Sequence, residues 1–216
     1  VPVARARPDG SRPPRQSTVS SGPRSDALRV TIKRVRGVTG LPDGIVSNWL
    51  HEHAQPGALL DVSQPAGDVV LDDADTPVVL VSAGIGITPV AAILEDLSRR
   101  QPGRTVRLFH ADRTHETHAL YSSLRRQVLA MSDARAQNWY ESDAAKAPTL
   151  HPAQAGFMDL GEVDLPDNAT VFMCGPLPFM QAMRSTLIGR GVPSERMHYE
   201  VFGPDLWAQN PEAHAA

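Results

Sequence analysis

The segment that most constrains the fold runs from Pro77 to Leu97, where an apolar stretch meets a glycine-rich turn and then a helical pattern. Pro77-Val-Val-Leu-Val81 is typical of a buried strand. Gly84 and Gly86 allow a tight turn and a close approach to a phosphate. Thr88 is predicted to cap the following helix, and Pro89 suits its first turn. The apolar face of that helix comprises Val90, Ile93, Leu94 and Leu97.

Taken alone, this turn is ambiguous, because a strand can enter a helix through glycines for purely structural reasons. It also departs from the G-x-G-x-x-G fingerprint, since Pro89 stands where the third glycine would be. The second half of the chain repeats the arrangement, with the apolar segment Ala169–Pro176 leading into a helical stretch at Leu177–Arg190. Two such turns at the carboxyl edge of a parallel sheet predict a ligand site there.

Composition narrows the choice of partners. A length of 216 residues allows one large domain or two small ones. The net charge of −3 argues against nucleic acid or an anionic membrane surface as partner. No apolar run approaches the roughly 20 residues that span a bilayer. The single cysteine, Cys174, precludes an internal disulfide and fits a reducing, cytoplasmic compartment.

The histidines give no reason to predict a metal site. His51 and His53 are two positions apart, and His115 and His118 are three apart. Neither pair has a third ligand at a recognised spacing, so solvated or hydrogen-bonded histidines are the better interpretation.

From residue 77 onward, strand and helix patterns alternate, which predicts an α/β fold with a parallel five-stranded sheet and helices on both faces. The strands are expected near 77–82, 104–110, 136–141, 169–174 and 196–202, and the helices near 89–100, 116–130 and 177–190. Ahead of them, half-buried strands are expected at Leu28–Lys33 and Ala58–Val62, with Ser47 capping a short helix between them. The polar segment 72–76 marks a boundary between a first domain at 1–75, whose residues 1–14 are expected to be disordered, and a second at 76–206. Residues 207–216 are expected to be a tail.

Five segments in a fixed order resemble the reductase portion of flavohaemoglobins, within the ferredoxin–NADP reductase superfamily. They are Gly44–His51, Pro65–Asp68, Gly84–Pro89, Cys174–Pro176 and His198–Pro204. The resemblance implies an antiparallel FAD-binding β-barrel ahead of an NAD(P)-binding α/β domain. It also implies that this barrel is truncated, since the family's first barrel strands and its haem-binding globin domain are expected before Arg15.

The resemblance assigns most of the candidate site residues. The pyrophosphate of NAD(P)H would meet Gly84, Ile85, Gly86, Ile87, Thr88 and Pro89. Cys174, Gly175 and Pro176 would lie beside the nicotinamide. FAD would meet Arg15, Gln16, Ser17 and Thr18, the amides of Gly44, Ile45, Val46 and Ser47, and the flavin-lining stretch Glu200, Val201, Phe202, Gly203 and Pro204.

Cys174 and Glu200 are the two candidate catalytic residues among these. A small buried core residue remains an alternative interpretation of Cys174.

Two substitutions depart from the family pattern. Ser17 stands where the family has a tyrosine that packs on the flavin ring, and losing that partner removes on the order of 1 kcal/mol beyond contact area. Val201 stands where the family usually has cysteine. We therefore expect weakened flavin binding.

The implied function is an FAD-dependent oxidoreductase that passes electrons from NAD(P)H to haem, as in the nitric oxide dioxygenase reaction of flavohaemoglobins. The cofactors are FAD and NAD(P)H, and haem would be bound only by the globin domain of a full-length relative. Two alternatives stay open: a stand-alone, ferredoxin-reductase-like protein with another acceptor, and a truncated, non-catalytic relic that binds nucleotide. The choice between NADH and NADPH is also open, because Arg113 would attract a 2′-phosphate while Asp112 and Glu116 would repel one.

Overall fold

The computed structural model describes residues 2–4, 15–37, 42–67, 69–146 and 153–200, which contain two sheets. The smaller sheet has three short antiparallel strands in the order β2-β1-β3. They are β1 (Pro2–Ala4), β2 (Arg15–Gln16) and β3 (Asp61–Val62). Helix α1 (Ile45–His53) lies between β2 and β3 along the chain.

Strand β1 lies within the segment 1–14 that was expected to be disordered, so that expectation is wrong for Pro2–Ala4. The strand pairs on both sides, with β2 and with β3, so these strands supply hydrogen-bond partners for its backbone N–H and C=O groups. The composition of the segment gives no sign of this pairing. Residues 1 and 5–14 lie outside the described part of the chain.

The larger sheet has six parallel strands in the order β7-β6-β5-β4-β8-β9. Its strands are β4 (Val78–Ala83), β5 (Val106–Asp112), β6 (Ala134–Tyr140), β7 (Gln154–Ala155), β8 (Thr170–Cys174) and β9 (Met197–Glu200). The helices are α2 (Ile87–Arg100), α3 (Tyr121–Leu129) and α4 (Leu177–Gly189). The α/β class is confirmed, but the expected count of five strands is wrong. The sixth strand, β7 at the edge of the sheet, has only two residues, which is too short for a periodic pattern to reveal it in the sequence.

Alternating side chains of the strands divide the core into two clusters, one on each face of this sheet. In β4, Val78 and Leu80 pack into the first cluster, together with residues of α2 and α3. Val79 and Val81 point the other way and pack with Leu187 of α4 in the second cluster. Helices therefore cover both faces, as the sequence predicts.

Three elements differ from their expected form. Residues 28–33 contain a single antiparallel bridge, Val19↔Val30, in place of a strand. Side-chain bonds hold this region, including one between the hydroxyls of Ser20 and Thr31 at 2.8 Å. The strand expected at 58–62 contracts to β3, and α3 begins at Tyr121 because Leu120 adopts a left-handed conformation with φ 62°.

Candidate functional site

The site lies at the carboxyl edge of the larger sheet, at the point where its strand order reverses. Strands β4 and β8 are neighbours there, and the chain leaves β4 toward β5 on one side and β8 toward β9 on the other. The turn Gly84–Gly86 follows β4 as a 3-10 helix, while Gly175 and Pro176 follow β8. Ligands of open α/β sheets bind at such a reversal.

Gly86 is the residue at which these two turns touch. A Cβ atom at this position would lie 2.1 Å from the carbonyl oxygen of Cys174 and 2.8 Å from the amide nitrogen of Gly175. These distances leave room for no side chain. The glycine therefore permits the close contact between two turns, although Gly86 and Cys174 are 88 positions apart in the sequence.

The turns at 84–86 and 175–176 together form a surface that we call the cradle, and Gly84 is its open part. Its φ of 53° is in the left-handed region that favours glycine, and a Cβ there would meet only the ammonium group of Lys33, 3.9 Å away. Open space next to backbone amides and an ammonium group suits an anion. Sequence reasoning missed Lys33, since the lysine lies 51 positions before the turn.

The start of α2 differs in detail from the prediction. Gly86, not Thr88, precedes the helix, and no side chain caps it. The Thr88 hydroxyl instead donates a hydrogen bond to the carbonyl oxygen of Ile85 at 3.0 Å. Pro89 is the third residue of the helix, where the absent N–H has no intrahelical partner to lose. Thr88 thus fastens the cradle turn to the helix.

Cys174 and Glu200 face each other on adjacent strands. They are register partners in β8 and β9, and Ser82 of β4 pairs with Cys174 on its other side. Burial raises the pKa of the Cys174 thiol, and the neighbouring Glu200 raises it further. The thiol is therefore neutral at physiological pH, which suits a packing or positioning residue better than a nucleophile.

Thr18 joins the smaller sheet's region to this edge. Its hydroxyl donates a 2.9 Å hydrogen bond to Oε1 of Glu200, across 182 positions of sequence. Both residues line a cavity of 980 Å³, to which Pro89 and the turn Pro65–Gly67 also contribute. The structure thus unites two residues that the resemblance assigns to the flavin.

The other flavin candidates are less completely placed. Arg15 and Gln16 form the exposed strand β2, and Ser17 is half-buried beside Thr18. Val201, Phe202, Gly203 and Pro204 lie outside the described residues.

The segment Gly44–Ser47 forms the entrance to α1 and does not line the 980 Å³ cavity. Ser47 lies inside the helix, so its expected role as cap is wrong; its hydroxyl donates to the Gly44 carbonyl at 3.1 Å. Val35 donates its N–H to that hydroxyl and accepts the N–H of Gly44. The N–H groups of the first helical turn, Ile45, Val46 and Ser47, have no intrahelical acceptor.

A buried polar group behind the cradle was not foreseen. Ser82, the penultimate residue of β4, forms a 2.9 Å hydrogen bond with Nδ1 of His110 in β5. The His110 ring contacts that of His118 in a tilted arrangement, with centroids 4.0 Å apart, and a ring nitrogen of His118 forms a hydrogen bond with the Tyr140 hydroxyl at 2.8 Å. The sequence does show polar residues, Ser82 and His110, near the ends of two apolar strands. It does not show the register of β4 and β5, which brings these two side chains together.

Among the described residues, no group of three or more His, Cys, Asp or Glu side chains is arranged to hold a metal ion. The expectation of no metal stays a prediction. No helix within the described ranges is both long and apolar enough to cross a membrane.

Comparisons with known proteins agree with this geometry. Residues 80–185 match the family model of the oxidoreductase NAD-binding domain. A flavohemoprotein from Chromobacterium violaceum is 40% identical over 200 residues, which cover 90% of this chain and 49% of that protein. The chain thus spans about half the length of the curated relatives it matches.

Solved structures of flavohaemoglobin-type proteins also resemble this chain. The flavohem-like FAD/NAD-binding domain of nitric oxide dioxygenase from Vibrio cholerae superposes with a TM-score of 0.82 at 30% identity, covering 94% of this chain and 83% of that one. A flavohemoglobin from Malassezia yamatoensis, solved with FAD and heme, gives 0.77 at 30% identity, covering 94% and 50%.

Fold and site together define an NAD-binding reductase domain of α/β type. The chain belongs to the reductase portion of the flavohaemoglobin family, within the ferredoxin–NADP reductase superfamily.

Proposed function

We propose that this chain is an NAD(P)H-dependent flavin oxidoreductase that passes electrons toward haem, as the reductase part of a nitric oxide dioxygenase. The observation that carries the proposal is the contact of the two glycine turns at Gly86, which forms one cradle at the sheet's switch point. The alternatives are a stand-alone reductase with another acceptor and a non-catalytic relic that binds nucleotide.

The coenzyme side of the proposal assigns the pyrophosphate to the turn Gly84–Pro89. The left-handed Gly84, the space above it and the Lys33 ammonium group suit a doubly charged anion. Gly175 and Pro176 lie at the same carboxyl edge of the larger sheet. Cys174, the last residue of β8, precedes them with a buried, neutral thiol. These residues would bind and orient the coenzyme.

The coenzyme-facing loop after β5 contributes no charge preference of its own. Arg113 and Glu116 are exposed on it and carry opposite charges. The Asp112 carboxylate, by contrast, accepts hydrogen bonds from the Thr117 hydroxyl and the Arg113 amide, so it bonds within the loop. Charge at this loop therefore favours neither NADH nor NADPH.

The flavin side rests on Thr18 and Glu200. A bound flavin supplies the ability to take two electrons as hydride and release them one at a time. The hydrogen bond between Thr18 and Glu200 fixes a hydroxyl and a carboxyl group on the wall of the 980 Å³ cavity. Arg15 and the amides of Ile45, Val46 and Ser47 would meet the FAD pyrophosphate, and residues 201–204 would complete the lining.

We assign residues 1–75 to the antiparallel FAD-binding barrel and residues 76–206 to the NAD(P)-binding domain, with a tail after them. The three-stranded sheet β2-β1-β3 and the packing of α1 support the first assignment. The proposed acceptor is a haem-binding globin domain, and the proposed location is the cytoplasm. The net charge of −3 supports a partner other than nucleic acid or a membrane surface.

The deciding experiment is the purification of the chain with excess FAD, followed by measurement of bound flavin and NADH-dependent ferricyanide reduction. Near-stoichiometric FAD and steady turnover are expected of a working reductase. A colourless protein that binds ADP-ribose without turnover would instead support the relic, and a protein that binds neither would overturn the proposal.

Ser17→Tyr tests the flavin assignment directly. An aromatic ring at this position should stack on the flavin and lower the dissociation constant of FAD about fivefold, since aromatic pairs contribute about 0.5–1.5 kcal/mol. Fluorescence titration with FAD measures the change. Ser63→Tyr, on an exposed loop, is the matched control and should leave FAD affinity unaltered. Equal affinities for Ser17→Tyr and the parent chain would contradict the assignment.

A further inference from the structure

A chain of buried polar contacts leads from β4, the strand that ends at the cradle and is called the cradle strand below, to the loop that follows β5. Ser82 lies two positions before Gly84, and its hydroxyl is 2.9 Å from Nδ1 of His110. Neither residue has any exposed surface. On the far side of the ring, Nε2 of His110 lies 3.7 Å from Oδ2 of Asp112. The imidazole therefore bridges the two strands with one nitrogen turned toward each partner.

The surroundings settle which nitrogen carries the proton. Burial lowers the pKa of His110, so the ring is neutral and has one N–H. Asp112 is ionised: burial opposes this, but the nearby His110 ring and the hydrogen bonds from Thr117 and the Arg113 amide bring its pKa down to about 2. The N–H belongs on Nε2, facing the carboxylate, and Nδ1 accepts a hydrogen bond from Ser82.

The same carboxylate organises the loop. Oδ1 of Asp112 accepts the backbone N–H of Arg113 at 2.7 Å and the Thr117 hydroxyl at 2.6 Å. Thr114 closes the turn by accepting the N–H of Thr117 at 3.3 Å. The backbone ladder between β4 and β5 ends at Ala83 and Ala111. Beyond that point, the Asp112 carboxylate lies between the loop and the His110 ring, which in turn bonds to Ser82 of β4.

Serine, histidine and aspartate in contact also suggest a nucleophilic triad. Burial argues against that function, because an attacking hydroxyl must reach a substrate, and both Ser82 and His110 are fully enclosed. These residues can hold neighbouring segments in place, but they cannot touch a reacting atom.

We propose that Ser82, His110 and Asp112 form a positioning relay that sets the loop 113–117 relative to the cradle at Gly84. The inference rests on the proposed function, since it assigns the loop to the adenosine half of NAD(P)H and the cradle to its pyrophosphate. The relay fixes the spacing between the two and so determines affinity for the adenosine half. Hydride transfer itself does not involve it.

The test compares two replacements of His110 by calorimetric titration with ADP-ribose and with inorganic pyrophosphate. Asparagine can reproduce Nδ1 and glutamine Nε2, so His110→Asn loses the Asp112 contact while His110→Gln keeps it. His110→Asn should raise the dissociation constant of ADP-ribose about tenfold and that of pyrophosphate less than twofold. His110→Gln loses the Ser82 contact instead, so the same selective loss of ADP-ribose affinity is expected of it.

Thr117→Val and His53→Gln complete the design. Thr117 is exposed, so its replacement removes the loop end of the relay without altering the core, and the same selective loss of ADP-ribose affinity is expected even if His110→Asn fails to fold. His53→Gln, at the exposed end of α1, should change neither affinity.

Three results count against the proposal. If His110→Asn folds and binds ADP-ribose as the parent chain does, or Thr117→Val does so, the relay is overturned while the proposed function stands. An equal loss of both ligands would indicate general disruption and would also overturn the relay. If the parent chain binds no ADP-ribose, the proposed function fails, and the relay with it.

Discussion

Gly86 shows how a single missing side chain determines the site. Gly86→Ala would place a methyl group 2.1 Å from the Cys174 carbonyl oxygen, an atom of the sheet backbone that cannot rotate away. The two turns must separate, so we expect NADH affinity to fall at least tenfold and the free energy of unfolding to fall by about 1–3 kcal/mol. Titration with NADH and urea denaturation measure the two effects.

Gly189→Ala is the matched control for this substitution. Gly189 ends α4, has no positive φ, and a Cβ there would meet nothing within 4 Å. The replacement should leave NADH affinity unaltered and stability unchanged or slightly higher, because alanine favours helix more than glycine does. If Gly86→Ala behaves in the same way, the two turns are not in the contact that we describe.

At the same scale, the sequence predicts some residues of the site and not others for an identifiable reason. Gly84, Gly86 and Pro89 stand in one local motif, so their turn and helix could be read directly. The partnership of Ser82 with His110 depends on the register of two parallel strands, which apolar runs do not specify. Lys33 reaches Gly84 through tertiary packing alone.

Among the elements, length decides what a pattern can predict. The long helix α2 was recognisable because its apolar face repeats over 14 residues, whereas β7 has two residues and no repeat. The strand expected at 28–33 has the right alternation, but its partner segment offers only one bridge at Val19. Alternation describes a half-buried face, and a strand also needs a neighbour of matching length.

Helix α2 also connects the two halves of the chain. Glu95 of α2 accepts the Ser25 hydroxyl at 3.0 Å and pairs with Arg29 at 3.1 Å and with Arg99 at 2.7 Å. The carboxylate is largely buried while both arginines are partly exposed. Residues 20–29 are therefore fastened to the face of α2 by one acidic side chain.

Glu95→Gln should loosen that attachment. The amide group of glutamine turns a donor toward donors, so we expect a loss of about 1–2 kcal/mol in the free energy of unfolding. Hydrogen exchange should also be faster at the Ser20 amide, which bonds to the Arg29 carbonyl at 2.8 Å. Glu162→Gln, at an exposed position, should change neither measurement. Equal exchange rates in the two variants would contradict the attachment.

For the whole molecule, the buried imidazoles make stability depend on pH. Burial, followed by the neighbouring His110, lowers the pKa of His118 to about 2, and burial also lowers that of His110. Both rings are neutral in the folded chain and take up protons on unfolding below the ordinary value of 6.5. Because the unfolded state then binds more protons, the stability from these rings is present above that pH and is lost as the pH falls.

His118→Gln should reduce this acid sensitivity. Each neutral buried ring contributes a loss of about 1.4 kcal/mol in the free energy of unfolding one pH unit below its unfolded pKa, so the parent chain should lose about twice that between pH 7.5 and 5.5. His118→Gln removes one of the two titrations and should lose about half as much, even if it is less stable at every pH because the Tyr140 hydroxyl loses its ring partner. Urea denaturation at both pH values measures the difference, and His53→Gln, exposed at the end of α1, should keep the parent slope. Parallel stability curves for the parent chain and His118→Gln would mean that the His118 ring is not held neutral in the folded protein, and with it the description of a closed polar cluster behind the cradle would fail.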